Sequence, residues 1–81
     1  MTGRCKGCGE FRPLLRLGEA VVCESCARHG RVDGDAAGDV VLLINGRSLR
    51  IATCAGKSPS EFADIMTRYR VLAKFAKTTA D

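Results

Sequence analysis

Two Cys-x-x-Cys pairs near the amino terminus constrain this chain more than any other feature. The first pair is Cys5 and Cys8, the second is Cys23 and Cys26, and fourteen residues separate the pairs. Two residues between cysteines allow both sulfur atoms of a tight turn to reach one metal ion at about 2.3 Å. We therefore predict that these four cysteines bind one metal ion, and that a short hairpin between the pairs brings them together.

Zinc is the metal that this pattern favours, with a rubredoxin-like iron site, an iron–sulfur cluster or disulfides as the alternatives. Gly9 follows the first pair as it would in a rubredoxin-like site, but no glycine follows the second pair. The chain has five cysteines, an odd number, and its first residues are polar, so we expect no export signal and a reducing cytoplasm. One Zn²⁺ with four protein ligands has no open position and is structural.

A chain of 81 residues benefits from such a staple, because a core of this size seldom supplies more than about 3–5 kcal/mol. The formal charge is +4. Four thiolates and one Zn²⁺ together contribute a charge of −2, so the zinc-bound protein carries about +2. The chain contains no run of about 18 apolar residues, which excludes a transmembrane helix.

A β-hairpin is predicted around Asn45-Gly46, because both residues tolerate the positive φ of a type I′ turn. The turn pairs Leu42 with Leu49 and Val40 with Ile51. The predicted core face consists of Val40, Leu42, Ile44, Leu49 and Ile51. The opposite face consists of Val41, Leu43, Ser48, Arg50 and Ala52. This second face is too apolar to be simply solvated, so we expect it to pack on the cysteine module or on a partner.

A helix is predicted to begin after Ser58, which is a good N-cap, with Pro59 at the first helical position and Glu61 completing a capping box. An apolar stripe then recurs at spacings of three and four residues. The stripe consists of Phe62, Ile65, Met66, Tyr69, Leu72, Ala73 and Ala76. We expect it to cover the core face of the hairpin in a ββα unit, and we expect Phe75, off the stripe, to be exposed.

The four cysteines, with Gly9 after the first pair and a hairpin-length insert, resemble zinc-ribbon and treble-clef zinc fingers over about the first third of the chain. Such fingers occur in transcription factors, in polymerase-binding regulators of the DksA type and in small phage proteins. The DksA-type regulators have a longer gap and a long preceding helix, so their mode of action is not carried over. A treble clef would add a helical turn at the second pair, and the sequence leaves ribbon and treble clef equally open.

The predicted fold is therefore a small α+β zinc-binding protein: a zinc ribbon or treble clef followed by a β-hairpin and a carboxy-terminal α-helix. The finger occupies residues 1–31 and a Gly/Asp-rich linker occupies residues 32–39. The hairpin and helix occupy residues 40–81. The composition, rich in Arg, Ala, Gly and Asp, hints at a GC-rich bacterial or phage genome.

We expect no enzymatic activity, because the sequence has no nucleophile motif, no carboxylate pair with a histidine and no phosphate-binding glycine loop. His29 lies close to the second pair, but four cysteines already suffice as ligands, so a solvent-facing histidine is expected. Cys54 is expected to be a buried free thiol.

Two functions are compatible with these features. The first is an adaptor, regulator or inhibitor that docks on a larger protein machine that handles nucleic acid, such as a polymerase, nuclease or recombinase. The second is direct DNA or RNA binding as a transcription or recombination accessory factor. The candidate contact residues are Arg4, Lys6, Arg12, Arg16, Arg28, Arg31, Val41, Leu43 and Arg50. The basic members could instead offset the metal-site charge, and the low net charge favours the protein partner.

Overall fold

The computed structural model describes residues 1–78 as two three-stranded antiparallel sheets and two helices, a small α+β fold as predicted. The elements are β1 Thr2–Arg4, β2 Phe11–Leu17, β3 Ala20–Cys23, α1 Glu24–His29, β4 Arg31–Gly34, β5 Val40–Ile44, β6 Arg47–Ala52 and α2 Pro59–Lys74. The first sheet has the order β1-β2-β3 and the second has the order β4-β5-β6. We call residues 1–29 the amino-terminal region and residues 31–78 the carboxy-terminal region.

The predicted hairpin is β5–β6, and its turn has the expected backbone, with φ of 52° at Asn45 and 73° at Gly46. Leu42 pairs with Leu49 as predicted. The predicted pairing of Val40 with Ile51 is wrong, because the register shifts between Val40 and the next residue, and Val40 pairs with Ala52. A bulge of this kind breaks the strict alternation of faces, so three successive residues of β5, Val40 to Leu42, are all buried.

A third strand lies where a flexible linker was expected. β4 pairs with β5 along its length, and Val32, which is 3% exposed, stands opposite Leu42. The loop is confined to residues 35–39, where a carboxylate oxygen of Asp35 accepts hydrogen bonds from two backbone N–H groups of the same loop. The sequence did not predict this strand, because Val32 is its only large apolar residue and the neighbouring Gly and Asp residues are typical of loops.

Helix α2 begins as the sequence predicts. The Ser58 hydroxyl accepts the backbone N–H of Glu61 at 3.3 Å and donates to the Glu61 carboxylate at 3.1 Å, so the N-cap forms and Glu61 bonds to the Ser58 side chain instead of completing the predicted capping box through the Ser58 backbone N–H. The helix ends at Lys74, so Ala76 lies beyond it although it is buried. Leu72 departs from the predicted stripe, because 49% of its surface is exposed.

The packing of α2 differs from the predicted ββα unit. The principal neighbours of α2 are β4, α1 and β2 rather than the β5–β6 hairpin. Gly34 of β4 leaves space for the Phe62 ring, since a Cβ there would lie 2.5 Å from the ring carbon Cζ. Arg70 donates from Nε to the carbonyl oxygen of Val32 at 3.2 Å. The unpredicted strand β4 is therefore the strand nearest to the helix, and the predicted ββα arrangement is not confirmed.

One hydrophobic core joins the two regions. Its buried residues include Cys5 and Val22 from the amino-terminal region and Leu42 and Ile51 from the carboxy-terminal region. The backbone N–H of Glu19, in the β2–β3 turn, donates to the carbonyl oxygen of Ile51 at 2.8 Å. Among residues 1–78, no helix is long and apolar enough to cross a membrane.

Candidate metal centre

The four cysteines of the two pairs lie together, with all four Sγ atoms within 4.8 Å of one another. Cys8 is half-buried and the other three are buried. A tetrahedral ion bound at about 2.3 Å places its sulfur ligands about 3.8 Å apart, and Cys8 Sγ lies 4.0 Å from Cys23 Sγ. This cluster, which we call the four-cysteine site, could hold one metal ion.

The first pair lies in a tight turn between β1 and β2. The turn is closed by the N–H of Gly9, which donates to the Cys5 carbonyl oxygen at 2.9 Å, and Gly9 adopts a φ of +77°. Gly7 is required for a different reason. A Cβ at Gly7 would lie 2.9 Å from Cys26 Sγ, so a side chain there would enter the space of the four-cysteine site.

The second pair lies at the start of helix α1. Cys23 is the last residue of β3 and the N-cap of the helix, and its Sγ accepts the backbone N–H of Cys26 at 3.5 Å. The β2–β3 hairpin returns the chain to the first pair through a turn in which Gly18 has a φ of +61°. The insert therefore forms the predicted hairpin, and the second pair begins a helix instead of a second tight turn.

Backbone N–H groups of the four-cysteine site donate hydrogen bonds to sulfur, and such bonds favour a thiolate over a thiol. Cys5 Sγ accepts from the N–H of Gly7 at 3.3 Å and from that of Cys23 at 3.2 Å. Burial raises the pKa of Cys5, but the N–H groups of Cys23, Cys8 and Gly7 outweigh burial and lower the pKa to about 6.

Cys26 behaves in the opposite way. Burial raises the pKa of Cys26 well above its usual range, and the neighbouring sulfur atoms raise it further. A cation bound between the sulfur atoms would favour loss of the Cys26 proton, because it would offset both burial and the neighbouring negative charge.

The β5–β6 turn supports the first pair from outside the site. Asn45 Nδ2 donates to the Gly7 carbonyl oxygen at 3.1 Å, and an Arg47 guanidinium nitrogen donates to the Lys6 carbonyl oxygen at 2.9 Å. The sequence identified Asn45 only as a turn residue. These contacts join residues about forty positions apart, and no local pattern signals them.

Four of the predicted basic contact residues are engaged within the chain. Arg4 donates to the Gly9 carbonyl oxygen, Arg28 pairs with Glu24 at 2.9 Å, Arg31 with Asp33 at 3.6 Å and Arg50 with Glu19 at 3.8 Å. The side chains of Lys6, Arg12 and Arg16 are exposed and make no ion pair or hydrogen bond within residues 1–78. Arg12 and Arg28 line one groove of about 370 Å³ beside α1.

The remaining candidates fall into different environments. Val41 is 3% exposed, so its side chain packs inside the chain and cannot face a partner, whereas Leu43 is half-buried. Cys54 is buried and lies outside the four-cysteine site. His29 is exposed, and its Nδ1 lies 2.8 Å from the Ser25 carbonyl oxygen, so it is not one of the clustered ligands.

Large apolar side chains are exposed at places that the sequence analysis did not select as contacts, apart from Phe75. They are Met1, Phe11, Val71, Leu72 and Phe75. Three of the five lie close together at the end of α2. Helical spacing could have revealed this group, since Val71 and Phe75 are both off the predicted stripe.

Comparison with known proteins finds no family model, no curated protein and no solved structure that matches this chain. Its function is therefore inferred from the four-cysteine site and from the surface.

Proposed function

We propose that this protein is a non-enzymatic interaction module, built around one structural zinc ion, that docks on a larger protein. The observation that carries the proposal is the closed set of four sulfur ligands within 4.8 Å of one another. A metal ion with four protein ligands has no position left for water or substrate. The metal ion would then stabilise the fold that presents the binding surface to the partner.

Zinc is supported over iron by the local architecture of the two pairs. The first pair lies in a tight turn, whereas Cys23 caps a helix and Cys26 belongs to its first turn. A turn, a hairpin and a helix in this order correspond to a treble clef rather than to a ribbon with two similar turns. Thiolate ligands must stay reduced to bind metal, which supports a reducing compartment, and we propose that this compartment is the cytoplasm.

A protein partner is supported over nucleic acid by the balance of the surface. Exposed apolar side chains include Phe11 at 70% and Phe75 at 68%. Burial of such surface is favourable by about 25 cal/mol per Å², and phosphate groups cannot provide it. Four candidate basic residues are already engaged within the chain, and the zinc-bound protein has a charge of only about +2. The partner class that we propose is a polymerase, nuclease or recombinase, which the module would regulate, inhibit or connect.

Affinity capture from a lysate of the source cell tests this function. The tagged, zinc-loaded protein is expected to retain a defined partner in near-stoichiometric amount, with the same yield after nuclease treatment. The variant Cys23→Ser is the matched control, because it removes a metal ligand and should retain none of the partner. Absence of any partner specific to the folded protein would contradict the proposal.

Direct nucleic-acid binding is the second candidate, and the exposed side chains of Arg12 and Arg16 favour it. These residues are four apart on β2 and therefore lie on the same face of the strand. A gel shift with DNA and RNA at several salt concentrations tests this function. Each neutralised phosphate should add about 0.9 to the slope of log affinity against log salt. The double variant Arg12→Gln, Arg16→Gln should reduce the slope by about 2.

A further inference from the structure

The last turns of α2 expose an apolar surface that the core does not use. Val71 is 53% exposed, Leu72 is 49% exposed and Phe75 is 68% exposed. Residues three and four apart on a helix are neighbours, so Phe75 adjoins both of the others. We call these three residues the helix patch. The core-facing side of the same helix carries Tyr69, packed on the core, and Ala73, which is buried.

Positive charge borders the helix patch. Arg68 precedes Val71 by three residues and Leu72 by four, so its guanidinium lies one turn before them. The Lys74 ammonium lies 5.7 Å from the centroid of the Phe75 ring. From residue 65 to residue 78 the chain contains four Lys or Arg residues and no Asp or Glu. The surface is therefore apolar at its centre and cationic at its border.

The amino-terminal region holds the end of this helix in place. Arg28 of α1 donates from Nε to the Ala76 carbonyl oxygen at 2.9 Å. Glu24 of α1 accepts from both the backbone N–H and the hydroxyl of Thr78 at 3.1 Å. Helix α1 begins at the second cysteine pair. Helix α1 therefore connects the four-cysteine site to the helix patch, and a metal ion bound at that site would help to position the patch.

We propose that the helix patch binds an acidic amphipathic helix of the partner protein, an inference that rests on the proposed docking function. The apolar stripe of that helix packs on Val71, Leu72 and Phe75. Carboxylates beside the stripe form ion pairs with Arg68 and Lys74. A second copy of this chain would place like charges against each other at the border of the patch. Nucleic acid would leave the aliphatic side chains without an apolar partner.

A direct binding measurement with a defined probe tests the inference. The probe is a fluorescent 18-residue helical peptide with a Leu/Phe stripe flanked by Glu, and the control peptide carries Lys in place of Glu. Fluorescence anisotropy is measured with the zinc-loaded 81-residue protein at low and high salt. The Glu peptide is expected to bind about tenfold more tightly than the Lys peptide at low salt, since Arg68 and Lys74 attract the carboxylates of the first peptide and repel the ammonium groups of the second. High salt should reduce the difference in affinity between the two peptides, because it screens the interactions between exposed charges.

Two variants show whether the helix patch is the binding surface. Phe75→Glu should abolish binding of the Glu peptide and the capture of the lysate partner. Ala63→Glu changes an exposed residue on the first turns of α2 and should leave both unchanged. Both variants must first show an unchanged circular dichroism spectrum and zinc content; if Phe75→Glu fails this control, Leu72→Glu replaces it.

Several results would overturn the inference while the docking function stands. They are equal binding of the two peptides, absence of binding, or a captured lysate partner that Phe75→Glu still retains. Dimerisation that Phe75→Glu abolishes would assign the patch to a second copy, and binding to phosphatidylserine vesicles but not to the peptide would assign it to an anionic membrane. Failure of the wild-type protein to capture any partner would instead contradict the docking function itself.

Discussion

The two regions of this molecule reach order by different physical means. In the amino-terminal region, three short strands and a six-residue helix surround four sulfur atoms, and the backbone N–H groups point at sulfur. In the carboxy-terminal region, apolar side chains such as Leu42 and Ile51, at most 1% exposed, stabilise the sheet without any metal. We propose that the first region depends on one metal ion bound by these sulfur atoms, whereas the second depends on buried hydrocarbon.

The difference does not make the regions independent, because one core contains residues of both. Asn45 and Arg47 bind carbonyl oxygens of the first cysteine turn, and Glu19 binds the Ile51 carbonyl oxygen. We therefore expect one cooperative unfolding transition for residues 1–78. The following predictions test how far the dependence on metal and the dependence on apolar burial are coupled.

Loss of a metal ligand should have the largest effect. Structural zinc contributes about 10–16 kcal/mol in small fingers, and whole domains are stable by only about 5–15 kcal/mol. Cys23→Ser should therefore unfold both regions, as measured by circular dichroism and NMR amide dispersion. Cys54→Ala removes a buried thiol outside the four-cysteine site and should keep full zinc content. A folded carboxy-terminal region in Cys23→Ser would show that the regions are independent.

Loss of apolar packing should come next. Leu42 is fully buried, and Leu42→Ala should lower the free energy of unfolding by about 2–5 kcal/mol. Leu72→Ala is the control, because that side chain is half exposed and its truncation should change stability by no more than about 0.5 kcal/mol. Urea denaturation of the zinc-loaded proteins measures both. Equal effects of the two truncations would be incompatible with the packing described above.

The contact between the regions at Gly18 should show a smaller effect. Gly18 and Gly46 both have positive φ, but a Cβ at Gly18 would overlap the Ile51 carbonyl oxygen, whereas a Cβ at Gly46 would meet nothing within 4 Å. Gly46→Ala should cost about 1 kcal/mol from backbone strain alone. Gly18→Ala should cost a further 1–3 kcal/mol or so from overpacking. Thermal unfolding that ranks the two variants in the reverse order would contradict the close approach of the regions.

The helix cap should have the smallest effect. Ser58→Ala removes the hydroxyl that accepts the Glu61 N–H and should lower the free energy of unfolding by about 1 kcal/mol. Ser60→Ala, two residues later and exposed, is the matched control and should be neutral or slightly stabilising. Denaturant midpoints measure both changes. If Ser60→Ala lowered the free energy of unfolding as much as Ser58→Ala does, Ser58 would not be the residue that caps the helix.

Local chemistry explains which features the sequence predicted. The cysteine pairs, the Asn45-Gly46 turn and the Ser58 cap each depend on residues within a few positions of one another, and all three are found in the structure. Strand β4 escaped prediction because one buried valine among Gly and Asp residues has no periodic signal. The register shift at Val40 was not predicted either, because a β-bulge depends on packing across the sheet.

The predicted ββα arrangement of α2 is not confirmed. Its apolar stripe identified a core-facing surface, but the stripe did not reveal that β4 would be the strand nearest to the helix. The support of the cysteine turn by Asn45 and Arg47 is likewise a long-range contact. The sequence therefore predicted which four cysteines form the candidate site, but it did not predict the contacts that surround the site.

The most direct test of the central claim measures metal content and folding together. Native mass spectrometry of the purified protein should show one zinc ion per chain. Stepwise addition of a chelator should then remove the amide dispersion of both regions in parallel with the loss of zinc. A protein that contains no metal, or whose NMR spectrum is unchanged after complete chelation, would contradict the claim that a four-cysteine zinc centre organises this fold.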